Sequence, residues 1–198
     1  MPIPRNVYET LLKRNEKYEG SWAIWADPEG TRATDGIGDL TVFDAPGIHE
    51  RLDGRFVFVA LNTSDQPGGQ VGRSPWGNFH SNYAHSRDFM LRRALRHTEF
   101  WGSYITDSIK HIRENRGAEV VRYVRNHPDE LARQREVFLE EMGVLGDRPT
   151  LVALGGNTQT VLVDLYQLPT DGWRVIRVPH YSGSTPNYRE TVLAELRQ

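Results

Sequence analysis

Four polar clusters, each set in or just after a short apolar run, carry residue types able to do chemistry together. They are Asn62-Thr63-Ser64 after FVFVAL, Thr106-Asp107-Ser108 within YITDSIK, Gly155-Gly156-Asn157 after LVAL, and His180-Tyr181-Ser182 after VIRVP. The carboxamide of Asn62 can hold a water by its oxygen, and because it is a poor base it would orient that water rather than deprotonate it. The imidazole of His180, even neutral, can donate a hydrogen bond to charge developing on a leaving group, which contributes ~3–4 kcal/mol in a dry site. An ionised Asp107 only accepts hydrogen bonds, so inside a pocket it would select a partner that donates. Each residue also has a plainer reading. Asn62 can be a turn residue after a strand, His180 a structural histidine, and Asp107 the N-cap of a helix opening at SIKHI. His80, His85, His97 and His111 fall into no metal-ligand spacing and read as surface or core residues.

The elements that must position these residues are visible as pattern. Residues 55–61, 150–154 and 173–178 have the short apolar character of buried strands, and 102–106 is a fourth candidate. Helical patterns lie between and after them. Residues 87–100 put Phe89, Leu91, Ala94 and Leu95 at near-helical spacing, and the run from Pro128 has proline and acidic residues in its first turn and Gly143 at its end. Residues 158–168 and 187–196 complete the set, the last following the turn-rich SGSTPN. This alternation predicts an α/β fold, a three-layer α/β/α sandwich around a mostly parallel four-stranded central sheet. A single domain is expected over residues 1–198, with 1–54 as a helical or irregular segment packed on it. Ligands bind beyond the carboxyl ends of parallel strands, which is where the polar clusters fall. The loop from Asn62 to about Ser86 is rich in Gly, Ser, Asn and aromatic residues. Loops longer than ~15 residues in a compact domain are more often functional than idle.

Composition narrows the classes. With 198 residues, 38% hydrophobic and 25% charged, the chain can bury a proper core without crosslinks. No stretch approaches the ~20 apolar residues of a membrane span, and the N-terminal MPIPRNVYETLLKR has neither the apolar core nor the cleavage site of a secretory signal. Cysteine is absent, which excludes disulfides, zinc–thiolate sites and iron–sulfur clusters and is compatible with a cytoplasmic location. The net charge of −2 argues against a coat of positive charge but leaves room for a local basic groove. Arginines recur at 87, 92, 93, 96, 113, 116, 122 and 125 with Lys110 beside them, and they serve phosphate only if gathered on one surface.

In their order along the chain, the four clusters resemble the motifs of the uracil-DNA glycosylase superfamily. The first is similar to G-x-N-P-G of the mismatch-specific branch or G-x-D-P-Y of the main branch. YITDSIK is close to Y-I-T-N-x-x-K of the thermostable branch, and LVALGGNT resembles the strand and glycine turn before the last motif. HYSGS resembles the DNA-clamping loop H-P-S-P-x or N-P-S-G-x, and PWGNFHSNYAHSRDF the segment that lays an aromatic over the extruded base. The likeness runs from about residue 56 to 197. The thermostable branch holds an iron–sulfur cluster, which a chain without cysteine cannot.

The resemblance implies a DNA glycosylase that takes its target base out of the stack and hydrolyses the N-glycosidic bond to leave an abasic site, as a monomer, with DNA as partner and neither cofactor nor metal. It makes Asn62 the water positioner and His180 the donor to the base O2. It gives base recognition to Asp107, Ser64, Phe79 and Tyr83, and DNA contacts to Lys110, Gly155, Asn157, Ser182 and Ser184. Phe79 is the first choice for stacking, with Tyr83 or Trp76 next; Tyr181 or Pro186 would fill the vacated stack. Three positions depart from the family's pattern: Thr63 stands for a proline, Ser64 for the tyrosine that crowds the base C5, and Asp107 for an asparagine that reads uracil. Asparagine there donates to uracil O4 and accepts from N3–H. An ionised aspartate meets O4 acceptor against acceptor, but accepts from the N4 amine of cytosine. Asp107 and Ser64 together imply a cytosine bearing a C5 modification, such as the hydroxymethylated or sugar-decorated cytosines of some phage genomes, and so a role in antiviral defence. The alternatives are a uracil or mismatched-thymine glycosylase of base excision repair, a non-catalytic reader of a modified base, and a binder of free nucleotide at the LGGNT turn.

Overall fold

The computed structural model describes all residues except 1, 29, 64–74, 82, 84, 85 and 147. Ser64 and His85 therefore lie outside the described residues.

The chain folds as α/β. Strand β1 (Ser21–Trp22) follows helices α1 (Arg5–Lys13) and α2 (Asn15–Tyr18), and β2 (Asp53–Asn62) precedes α3 (Asp88–Leu95). Then come β3 (Ser103–Ile109), α4 (Gly117–Asn126), α5 (Pro128–Leu145), β4 (Thr150–Leu154), α6 (Gly156–Gln159), β5 (Val175–Val178) and α7 (Tyr188–Leu196). The sheet has five strands in the order β1-β3-β2-β4-β5. The last four in this order run parallel, and β1 pairs antiparallel on the outer edge of β3. The sheet is mostly parallel as expected but has five strands, not four; the edge strand β1 spans two residues, too few to leave a periodic signal.

The run FVFVAL is apolar throughout because both faces of β2 are covered. Successive side chains alternate between two cores. Val57, Val59 and Leu61 pack with Phe138, Met142, Val120 and Val124 from α4 and α5. Phe58 and Ala60 face the other way, among Leu91, Ala94, Leu95, Val192 and Leu196 from α3 and α7. The N-terminal segment joins the first core through Leu11, Tyr18 and Trp22.

Several expected boundaries move. β3 does not stop at residue 106 but continues through Asp107 to Ile109, its register fixed by Ala60 opposite Asp107 and Asn62 opposite Ile109. Asp107 is thus a strand residue and not a helix N-cap. α3 ends at Leu95, where Arg96 turns to an extended conformation and His97 takes φ +61°. α5 runs through Gly143 and stops before Gly146, whose φ of +102° breaks the helix. The expected helix at 158–168 is four residues of α-helix followed by a π-helical turn, Thr160–Leu165. α4 was not anticipated, although Val120, Val121 and Val124 lie on one buried face at helical spacing.

Candidate active site

The four parallel strands direct their carboxyl-terminal ends to one cavity of about 620 Å³, within the ~300–1,000 Å³ usual for small-molecule sites. Asn62 closes β2, Asp107 lies near the end of β3, Gly155 and Asn157 follow β4, and His180 and Ser182 follow β5; all six line the cavity. Phe79 and Tyr83 line it from the loop between β2 and α3.

Asn62 is oriented by its own amide. Its Nδ2 donates to the carbonyls of Ile112 (2.8 Å) and Glu114 (2.9 Å), which fixes which end of the carboxamide is which. The acceptor end, Oδ1, takes no hydrogen bond from the described residues and remains able to hold a water.

Asp107 is 1% exposed. Its Oδ2 accepts from Thr63 Oγ1 and Asn78 Nδ2, both at 2.8 Å. Its Oδ1 is buried and has no hydrogen-bond partner among the described residues. Burial pushes the carboxyl up to about 6, against the opposing pull of the Lys110 ammonium and the two hydrogen bonds. The side chain therefore offers one committed oxygen and one vacant one, and it sits close to a change of protonation at neutral pH.

His180 is half-buried, and burial alone pushes its imidazole down to about 4. The backbone N–H of Ser182 donates to Nδ1 (3.1 Å), and Ser182 Oγ lies 2.8 Å from the same atom. An amide N–H can only donate, so Nδ1 is an acceptor and the neutral ring carries its proton on Nε2. The tight turn that follows is closed by Gly183 N–H on the His180 carbonyl, 3.0 Å. Gly155 is required beside it: its φ is +92°, and a Cβ there would stand 3.1 Å from His180 Cβ.

Phe79 also adopts a left-handed φ, +63°. It is held by its N–H on Asn78 Oδ1 (3.1 Å) and by its carbonyl, which accepts from the Trp25 indole (3.1 Å). Asn78 thus serves two residues of the cavity, since its Nδ2 bonds Asp107 while its Oδ1 bonds Phe79. Trp76, a further stacking candidate beside Tyr83, is core: it is 2% exposed, its indole bonds the Tyr8 hydroxyl, and its ring packs against Trp22 and Phe43.

Lys110, expected among the DNA contacts, is not placed to reach a ligand from solvent. It is 1% exposed and pairs with the equally buried Glu141 at 2.8 Å, beneath the sheet end and off the cavity wall. Glu141 also accepts from Tyr104 and Thr106. Its pairing follows from burial, because an ammonium taken out of water needs a carboxylate beside it. Ser182 and Ser184 are exposed, but only Ser182 lines the cavity. Of the two residues expected to fill a vacated stack, Tyr181 lies nearly parallel to the His180 ring at 4.5 Å and packs on the second core, while Pro186 is exposed. Among the other histidines, His80 is core, bonding the carbonyls of Asn78 and Ile24.

Residues that the sequence did not single out complete the site. Thr63, named in the first polar cluster but given no role, donates its hydroxyl to Asp107. Asn78, Arg87 and Asp88 lie within the PWGNFHSNYAHSRDF segment, though the sequence assigns them no role in the cavity, and they line it together with Asn115. Asp88 is buried, accepts from Ser81 N–H at 2.9 Å, and is raised by that burial. No three histidine or carboxylate groups among the described residues are arranged to hold a metal ion, and no described helix is long and apolar enough to cross a membrane. The chain matches no family model, no curated protein and no solved structure.

Proposed function

We propose that the protein is a monofunctional DNA glycosylase of the uracil-DNA glycosylase type, which draws a nucleotide out of the duplex and hydrolyses its N-glycosidic bond. The carrying observation is the convergence of Asn62, Asp107 and His180 on one cavity that Phe79 also lines. These side chains come from three different strand ends, and no local structural need brings them together.

In this reading the flipped base lies against Phe79, a stacking contact worth ~1–3 kcal/mol. Asn62 Oδ1 holds the water that attacks the sugar C1′. As the bond breaks, negative charge moves onto the base and the His180 Nε2–H donates to its O2. A neutral imidazole suits this role because its Nε2–H does not ionise near neutral pH, so it stays a donor over the physiological range. The vacant Oδ1 of Asp107 accepts from an exocyclic amine, which favours a cytosine edge over uracil. Thr63 and Asp107 depart from the family's pattern together and bond each other, which supports a changed base preference. The cavity exceeds what a bare pyrimidine occupies, in keeping with a cytosine substituted at C5 and with a role against phage DNA so modified.

A second reading has its own support. With its carboxyl raised to about 6, Asp107 is neutral in mildly acid solution, and a protonated Oδ1 donates to uracil O4.

The test offers duplex and single-stranded oligonucleotides containing uracil, mismatched thymine, cytosine or C5-modified cytosines, and scores alkali-labile abasic sites. Cleavage of a cytosine-type base is expected, with a loss of about 10²–10³-fold in His180→Ala and in Asn62→Ala. Wild-type cleavage undiminished in both variants removes the catalytic assignment. Tight binding of a modified base without cleavage turns the protein into a reader.

A further inference from the structure

The segment between β3 and α4 supplies the two carbonyls that orient Asn62, those of Ile112 and Glu114. It has no helix or strand of its own, so contacts from elsewhere must fix its shape. Glu19 makes two of them from 92 residues before His111. Its Oε2 accepts the His111 N–H at 3.0 Å, and its Oε1 pairs with the Arg113 guanidinium. These contacts flank Ile112, whose carbonyl Asn62 uses. The Glu19 side chain is buried, and its backbone carbonyl accepts from Asn78 Nδ2 at 2.7 Å, the same nitrogen that bonds Asp107.

Position 19 is a costly place for such a side chain. It closes α2 in the left-handed conformation, φ +52°, where glycine is the usual residue and a side chain is strained. A glycine does follow at position 20, yet the left-handed position itself holds the glutamate. A strained residue of this kind points to a role beyond ending a helix, and the reach of its carboxylate to the loop beside Asn62 supplies one.

We infer that Glu19 is a positioning residue for Asn62: its carboxylate pins the loop at His111 and Arg113, and the loop's carbonyls in turn set which way the carboxamide faces. The consequence for catalysis rests on the proposed glycosylase reading, whereas the tether is a property of the folded chain. Without the tether the carbonyls of Ile112 and Glu114 are free to shift, and Nδ2 loses the acceptors that distinguish it from Oδ1. The carboxamide can then turn over and offer the cavity an amide in place of the acceptor that holds water. Glu19 does not line the cavity, so its carboxylate acts through the loop. The bond to Asn78 uses the main chain, which any residue at 19 retains, so loss of the side chain should spare Asp107 and Phe79.

The experiment compares wild type with Glu19→Ala, Glu19→Gln and Arg113→Ala. Glutamine keeps the length and an acceptor oxygen, so it should fold and restore part of what alanine loses. The first readout needs no substrate: hydrogen exchange of the Asn62 side-chain amide followed by NMR, with Asn62→Asp to assign the signal. Exchange should quicken by about tenfold or more in Glu19→Ala and Arg113→Ala, and by less in Glu19→Gln. A residue serving stability alone would lower the unfolding midpoint and leave this amide protected in the folded protein. The second readout is cleavage. There kcat per folded molecule should fall about 10–100-fold with KM changed less than about twofold, and the ranking of bases should stay that of wild type. Wild-type exchange at Asn62 in both Glu19→Ala and Arg113→Ala overturns the inference, whatever cleavage does. So does quickened exchange with kcat within about twofold of a wild type that cleaves. If exchange quickens but wild type cleaves none of the bases offered, the tether stands and the glycosylase reading fails. Should Glu19→Ala not fold, Glu19→Gln and Arg113→Ala carry the same comparison.

Discussion

Replacing Asp107 with asparagine should make the protein more stable at neutral pH while altering what its cavity accepts. The carboxyl is 1% exposed and its pKa rises from 3.8 in the ordinary state to about 6 in the fold. The sign follows from proton binding: between those values the folded state holds a proton that the unfolded state has lost, so stability falls as pH rises through the window. Above pH ~6 the full penalty applies, about two pH units at about 1.4 kcal/mol each, or about 3 kcal/mol. Asparagine keeps the acceptor for Thr63 and Asn78 and presents an amide N–H where the vacant Oδ1 now stands, so about 2 kcal/mol of that penalty should be recovered. For a domain of this length this amounts to a rise in Tm of about 4–8 °C. Urea unfolding at pH 8, 7, 6, 5 and 4 checks it. Asp88 and Glu141 are also raised by burial, but they are common to both proteins and cancel in the difference. The gain should be largest at pH 7–8, about half as large near pH 5, and close to nothing by pH 4. An asparagine variant less stable than wild type at pH 8, or a difference flat across the series, would refute the reasoning that the carboxylate is buried at a cost.

Three further outcomes follow from the same geometry. In cleavage assays, uracil excision by wild type should rise as pH falls through about 6, where Asp107 gains its proton, while His180 remains neutral down to about 4; Asp107→Asn should flatten that profile and favour uracil throughout. Lys110→Met leaves Glu141 buried without its ion pair and should cost about 3–5 kcal/mol in denaturant unfolding; a variant of unchanged stability with weakened, less salt-dependent DNA binding would return Lys110 to the phosphate backbone. Gly155→Ala, strained at φ +92° and crowding His180, should lower stability by about 1–2 kcal/mol and cleavage by about tenfold, measured by thermal unfolding and single-turnover kinetics.

Sequence pattern carried the α/β architecture and most of the side chains it named for the cavity, among them Asn62, Phe79, Asp107 and His180, and the reasons it stopped there are physical. β2 and β4 announce themselves because strands covered on both faces are apolar without interruption. β3 does not, since Asp107 looks like a strand end until Thr63 and Asn78 are seen to satisfy one of its oxygens. Lys110 was misplaced for a related cause: a lysine near a polar motif reads as exposed, and its partner Glu141 lies 31 residues further on, within a helix. Asn78 and Asp88 lie inside the aromatic-bearing segment PWGNFHSNYAHSRDF, but nothing there sets them apart from their neighbours. Their roles come from contacts that spacing along one chain does not encode, Asn78 to Asp107 and Asp88 to the Ser81 N–H.

The double duty of Asn78 has a consequence for how this cavity can diverge. On the proposed reading one amide holds both the residue that would test the base edge, Asp107, and the one that would stack on it, Phe79, so a substitution there disturbs the two together. A lineage acquiring a new base would have to retain position 78 and vary its neighbours, or lose grip on any base before gaining another. Comparing descendants of one ancestor, one would look for drift at 63 and 107 in concert around an invariant 78.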